Sequence, residues 1–104
     1  MDEVFRALAD ENRRLLLDRL FAHNGQTLSE LAAALPISRQ AVAKHLAVLE
    51  GANLVSAVRR GREKFHYLNP LPIAEIVRRW VGKFEDARLE AFVDFKDHVE
   101  KRHA

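Results

Sequence analysis

From Ser38 to Lys44 the chain reads Ser-Arg-Gln-Ala-Val-Ala-Lys. Arg39 carries a planar fork of donors that matches the two acceptors on a guanine edge, and the Gln40 amide offers the donor and acceptor that adenine complements. Lys44 adds a mobile positive charge. A second basic group follows, since four of the six residues from Arg59 to Lys64 are Arg or Lys, namely Arg59, Arg60, Arg62 and Lys64. Side chains of this kind neutralise phosphates, with an affinity that falls as salt rises. The plain reading of each group is a solvated helix face and a hairpin tip charged against edge pairing. What separates the readings is the set of elements that holds the two groups.

Two short helical patterns flank a break at Leu35-Pro36-Ile37. The first opens on Thr27, with Glu30 three residues later, a capping box in which hydroxyl and carboxylate each satisfy one backbone N–H at a helix start. Leu28, Leu31, Ala32 and Leu35 lie at the spacing of one helix face. Pro36 biases Leu35 away from the α region, and Ser38 offers the N-cap of a second helix, 38–50. Val42, Leu46 and Leu49 recur at i, i+4 and i+7, so they form its buried stripe. Arg39, Gln40 and Lys44 are then left outside in the first two turns, where a helix laid in a major groove presents side chains to bases.

Val4, Phe5 and Leu8 suggest a short amphipathic helix that Asp10 ends, capping the next one. Arg13 to about Ala22, with Leu15, Leu16, Leu17, Leu20 and Phe21, is apolar over too broad an arc for a surface helix and is expected in the core. Gly25 suits the left-handed conformation after a helix end, and Gly51-Ala52-Asn53 is a second stop. From Leu54 the period becomes two, through Val55, Ala57 and Val58 to a break at Arg60-Gly61-Arg62, then Phe65, Tyr67 and Leu68. A β-hairpin over 54–68 follows, with Gly61 at its tip.

After Asn69-Pro70-Leu71-Pro72 the pattern predicts one long helix over 72–102, of about 45 Å at 1.5 Å per residue. Ile73, Val77, Trp80, Phe84, Phe92 and Phe95 fall on one wide face that asks for a partner, as aromatic stripes at this spacing are core more often than ligand pocket. Leu89 and Val93 lie on roughly the opposite side, and they are expected to pack on Val4, Phe5 and Leu8.

With 104 residues the length fits one domain, 1–104, with a modest core. The chain has no cysteine, which excludes disulfides, thiolate catalysis and thiolate metal sites. No window approaches the roughly 20 apolar residues that cross a bilayer, and the acidic start MDEVFRALAD is unlike a secretory signal, so the expectation is a cytoplasmic protein without membrane contact. Net charge is only +2, so an argument for nucleic acid rests on where the charge lies, in the middle of the chain. Ser29, Ser38 and Ser56 have no paired base with an orienting third group, and there is no glycine-rich phosphate loop, so an enzyme is not expected.

Histidines carry less. His45 stands one position off the buried stripe and is expected to bond across to a neighbouring element. His66, between Phe65 and Tyr67, is expected to face solvent or a DNA backbone. His98 and His103 are five apart, a poor spacing for one helix face.

The segments FRALADENRRLLLDRL, TLSELAAALPISRQAVAKHLAVLEGANLV and RRGREKFHYLNP together resemble the ArsR-type bacterial transcriptional repressors, from about Phe5 to Pro70 without a gap. SELA, the S-x-x-x-V-x-x-H-L-x-x-L-E run from Ser38 to Glu50, and Gly61-Arg62 ahead of Tyr67 carry most of that resemblance. It implies a mostly α fold with a small β-hairpin, a winged helix-turn-helix dimerising through its N- and C-terminal helices. It also implies a homodimer bound to an inverted-repeat operator in double-stranded DNA, blocking transcription. Ser38, Arg39, Gln40, Ala43 and Lys44 match the family's DNA-facing helix positions, and Arg59, Arg60, Arg62 and Lys64 match its wing. Many relatives sense metals, but the Cys-x-Cys positions of the family's first metal site are here Thr27 and Ser29. The second site's ligand intervals are not met by Asp97, His98, Glu100 and His103. The resemblance is therefore to the branch without metal-binding cysteines, with no cofactor and with any small-molecule effector unknown. Two alternatives stay open: an interaction module that has lost operator binding, and a repressor released by an unidentified metal or apolar ligand.

Overall fold

The computed structural model describes residues 1–84 and 86–103, with the side chains at 86–89, 102 and 103 left out of the description. Its elements are α1 (Asp2–Leu8), α2 (Glu11–Ala22), β1 (Gln26–Thr27), α3 (Leu28–Ala33), α4 (Arg39–Gly51), β2 (Val55–Arg60), β3 (Glu63–Leu68), α5 (Leu71–Ile76) and α6 (Asp86–His103). They fall into two units, Met1–Pro72 and a second beginning at Ile73. The first unit is a winged helix-turn-helix.

Local signals set the helix starts of the first unit. Asp10 caps α2, its carboxylate accepting from the Arg13 amide at 3.1 Å. Thr27 and Glu30 form the capping box, with the Glu30 amide donating to Thr27 Oγ1 at 3.2 Å and the Thr27 amide to Glu30 Oε1 at 3.3 Å. Ser38 Oγ accepts from the Ala41 amide at 3.1 Å to start α4. Caps of this type contribute about 1 kcal/mol each and fix where a helix begins more than how strong it is.

The core gathers one stripe from each helix: Val4 and Ala7, then Leu16, Leu17 and Leu20, then Leu31 and Leu35, then Val42, Leu46 and Leu49. Ala52, Leu54 and Val55 close it from the wing side. Each fully buried leucine contributes roughly 2 kcal/mol by removal from water. The broad apolar arc of α2 is not wholly internal, however. Leu15 is half-exposed and Phe21 is 81% exposed, because a helix packed on one side can bury only about a third of its circumference.

The sheet has three strands in the order β1-β3-β2, all antiparallel, so the hairpin gains an edge strand that two residues, Gln26 and Thr27, were too short to announce. The register pairs Val55 with Leu68, Ala57 with His66, Arg59 with Lys64 and Arg60 with Glu63. Gly61 opens the two-residue loop with φ 63°, the position where a tight hairpin turn needs a left-handed residue. Gly25, φ 78°, sits before β1, donating its amide to the His66 carbonyl at 2.9 Å.

His66 corrects the expectation of a solvent-facing side chain: it is 3% exposed. The pleat puts Lys64, His66 and Leu68 on the helix-facing side of β3, with Phe65 and Tyr67 on the other. His66 Nδ1 lies 2.9 Å from the Gln26 carbonyl, so the imidazole is hydrogen-bonded inside the fold and ties β3 to β1.

The second unit also departs from expectation. In place of one α-helix over 72–102 there are α5, a wide π turn at Val77–Val81, a 3-10 turn at Gly82–Phe84, and α6. The Gly82 amide reaches back to the Val77 carbonyl, five residues away. Glycine holds the α ladder weakly, by about 1 kcal/mol relative to alanine, and β-branched Val77 and Val81 add little. Val77, Trp80, Phe84, Phe92 and Phe95 are exposed, and Ile73 is half-buried. The Leu89 side chain lies outside the described residues. On α1 Val4 is buried, Phe5 is exposed and Leu8 is half-buried. No helix among the described residues is long and apolar enough to cross a membrane.

Candidate nucleic-acid interface

Burial of Val42, Leu46 and Leu49 fixes the rotation of α4, and Ser38, Arg39, Gln40, Ala43 and Lys44 are all exposed as a result. Helical geometry stacks Gln40 over Lys44 and Arg39 over Ala43, one turn apart. The Ser38 hydroxyl oxygen already accepts from the helix cap, which leaves its O–H and one lone pair for an outside partner. Among the described residues Arg39, Gln40, Lys44, Arg59 and Arg62 have no hydrogen-bond or ion-pair partner within the chain. Solvated cations and an uncommitted amide on one convex helix face are what groove reading requires.

The wing sorts its basic residues by face. Arg59 and Lys64 are cross-strand partners on the helix-facing side, whereas Arg60 is opposite Glu63 on the outer side and stacks over the Phe65 ring at 5.8 Å. Lys64 Nζ reaches Glu50 Oε1, near the end of α4, at 3.3 Å. Arg62 occupies the turn itself. A recess of about 260 Å³ is lined by Thr27, Leu28 and Ser29 from the start of α3, Arg39 from α4, and Arg62, Glu63 and Lys64 from the wing. Arg39, Arg62 and Lys64, chosen from two separate stretches of sequence, thus share one concavity. Arg59, Arg60, Gln40 and Lys44 do not line it.

Residues that sequence reasoning did not select complete the arrangement. Glu63 brings a carboxylate into the recess, and Glu50 engages Lys64. Their signal was only opposite charge beside the basic wing, which pairing through space, not spacing, makes meaningful. Arg13 was likewise silent. Its Nε donates to the Ala7 carbonyl at 2.8 Å and Nη2 to the Arg6 carbonyl at 2.9 Å, satisfying the open end of α1. Its Nη1 lies 3.4 Å from His45 Nδ1 on α4. His45 does bond across to a neighbouring element, as its position off the stripe suggested.

Among the described residues Asp10 has a clearly displaced titration. Its carboxyl is held below its ordinary value, first by the hydrogen bond from the Arg13 amide and then, more weakly, by the charges of His45 and Arg13, with partial desolvation opposing. His45 Nδ1 is 4.0 Å from Asp10 Oδ1.

Metal chemistry finds no nest here: among the described residues no three His, Asp or Glu side chains are placed to hold an ion. Thr27 spends its hydroxyl on the α3 cap. Ser29 is exposed on the recess wall.

Residues 8–58 match a family described as a helix-turn-helix domain. The chain is 42% identical over 86 residues to the HTH-type transcriptional regulator YuzN of Bacillus subtilis (strain 168), covering 77% of this chain and 94% of that one. It is 30% identical over 84 residues to the transcriptional repressor SdpR of the same organism, with 81% and 91% covered. Among solved structures it is similar to an ArsR-like transcriptional regulator from Rhodococcus sp. RHA1, with TM-score 0.73, 36% identity, and 93% and 90% of the two chains covered.

Proposed function

We propose that this chain, which belongs to the ArsR family of helix-turn-helix DNA-binding transcriptional regulators, works as a homodimeric repressor of an inverted-repeat operator. In this reading α4 of each protomer enters a major groove. Arg39 forks onto a guanine and Gln40 onto an adenine, each pair worth about 1–3 kcal/mol of discrimination. Lys44 takes a phosphate, and Arg62 and Arg59 on the wing take the backbone alongside. Bound over a promoter, the dimer blocks transcription by occupancy. Every step is one of binding and positioning, and no bond is made or broken.

The observation that carries the reading is the shared recess: α4 gives it Arg39, the wing gives it Arg62, and neither cation has a partner among the described residues. Two unpaired guanidinium groups converging from different elements favour a polyanion over a neutral partner surface. Self-association is supported by exposed Trp80, Phe84, Phe92 and Phe95, a row too apolar for a surface left to water. A dimer would set the two reading helices about 34 Å apart, one turn of duplex. Repression is supported by the name of SdpR, a transcriptional repressor.

The test is a fluorescence titration at moderate salt with a selected inverted repeat and with random duplex. An operator-binding dimer prefers the repeat by at least about a thousandfold. Equal binding, or none, would mean an interaction module that no longer reads DNA.

A further inference from the structure

We propose that Arg13 is a positioning residue for DNA reading, holding α4 at a fixed angle to α1 through three nitrogens of one guanidinium. The inference rests on α4 being the reading helix. Two of those nitrogens hold the Arg6 and Ala7 carbonyls at the end of α1, and the third meets the His45 ring on α4. Arg13 also joins the third corner, because its backbone amide donates to the capping carboxylate of Asp10, which lies beside the same imidazole. Residues from α1, the α1–α2 turn, α2 and α4 therefore meet at one planar group.

The chemistry of the contact is directional. A guanidinium has donors only, so a hydrogen bond at this contact requires His45 Nδ1 to accept. His45 follows Lys44 directly and lies one turn beyond Ala41, which itself follows Gln40, so a shift of its ring rotates the exposed face that carries Gln40 and Lys44. The core stripe of Val42, Leu46 and Leu49 sets which face of α4 is buried, and the fork at Arg13 adds a directional polar contact that holds the finer angle. Lysine at this position could reach one carbonyl but could not span all three acceptors. α1 also presents exposed Phe5, so the same group places the reading helix relative to a surface available to a second protomer.

The proposal is tested with Arg13→Lys and Arg13→Gln in the full-length protein, read by thermal unfolding, by affinity for random duplex and by affinity for the selected repeat. A positioning role lowers the ratio of specific to random affinity about tenfold while random-duplex affinity stays within about twofold, because the charges facing DNA are untouched. An unchanged ratio overturns it, and so does a loss shared equally by both duplexes, which marks a purely structural role. Should either Arg13 variant fail to fold, His45→Gln and His45→Leu decide. Glutamine offers the guanidinium a replacement acceptor and keeps the ratio, leucine offers none and lowers it, and an unchanged ratio in His45→Leu overturns the inference. Arg39→Ala runs in parallel: if it leaves the preference intact, α4 is not the reader, a result that refutes the underlying assignment and not the Arg13 geometry alone.

Discussion

Lys64 of the wing and Glu50 of α4 are joined, with Nζ and Oε1 3.3 Å apart and both side chains partly open to solvent. One of the wing's four cations is thereby spent on the protein itself. An exposed pair of this kind contributes under about 1 kcal/mol to stability, so its significance lies in where it leaves the charge.

Removing the acidic partner should return that charge to the DNA. Glu50→Gln is expected to strengthen binding to random duplex and to steepen the dependence of log affinity on log salt by about one counterion. Titrations at several salt concentrations check this, with Tm nearly unchanged.

Within the wing, position decides effect. Arg62→Ala should weaken binding on all sequences and lower the salt slope by about one, whereas Lys64→Ala should do less, its charge being half committed already. The comparison is made by anisotropy on random duplex. Gln40→Ala should behave differently again, relaxing preference at one base pair with little change in salt slope.

The glycines give a paired test of the scaffold. A methyl at Gly25 would meet the Tyr67 ring at 3.1 Å on a residue with φ 78°, while one at Gly61, φ 63°, meets nothing within 4 Å. Gly61→Ala should cost about 1 kcal/mol from backbone conformation alone, and Gly25→Ala measurably more. Urea unfolding of both variants gives the difference.

Acid should weaken the α2 cap. Asp10 has a folded-state pKa below its ordinary value, so the stability it contributes is complete above the unfolded-state value and is lost as pH falls through the folded one. Tm of the wild type should therefore fall below about pH 4, and Asp10→Asn, which keeps a capping oxygen without the charge, should flatten that decline. Thermal scans from pH 2 to 6 measure it.

Much of the fold was legible because its punctuation is local. Asp10, Thr27 with Glu30, and Ser38 each begin a helix through an atom within three residues, and Gly61 turns the hairpin through its own φ. What was illegible depends on distant partners. His66 reads as exposed beside Phe65 and Tyr67, and only the Gln26 carbonyl, 40 residues away, explains its burial. β1 is two residues long and exists because β3 lies next to it. Arg13 looks like any charged helix residue until α1 ends against it and His45 arrives from α4. In the second unit the apolar spacing suggested an unbroken helix, since periodicity does not register the one-residue widening at Val77–Val81. For the interface itself, Arg39 and Gln40 were visible from helix phase, but the recess that joins Arg39 to Arg62 required the tertiary fold.

The central claim is that α4 and the wing read a symmetric DNA site. Selecting bound duplexes from a random pool tests it most directly. Enrichment of an inverted repeat with half-sites about 10 base pairs apart, centre to centre, is expected, with loss of that enrichment in Arg39→Ala. A pool that stays random after repeated rounds, or a motif unchanged by Arg39→Ala, would contradict it.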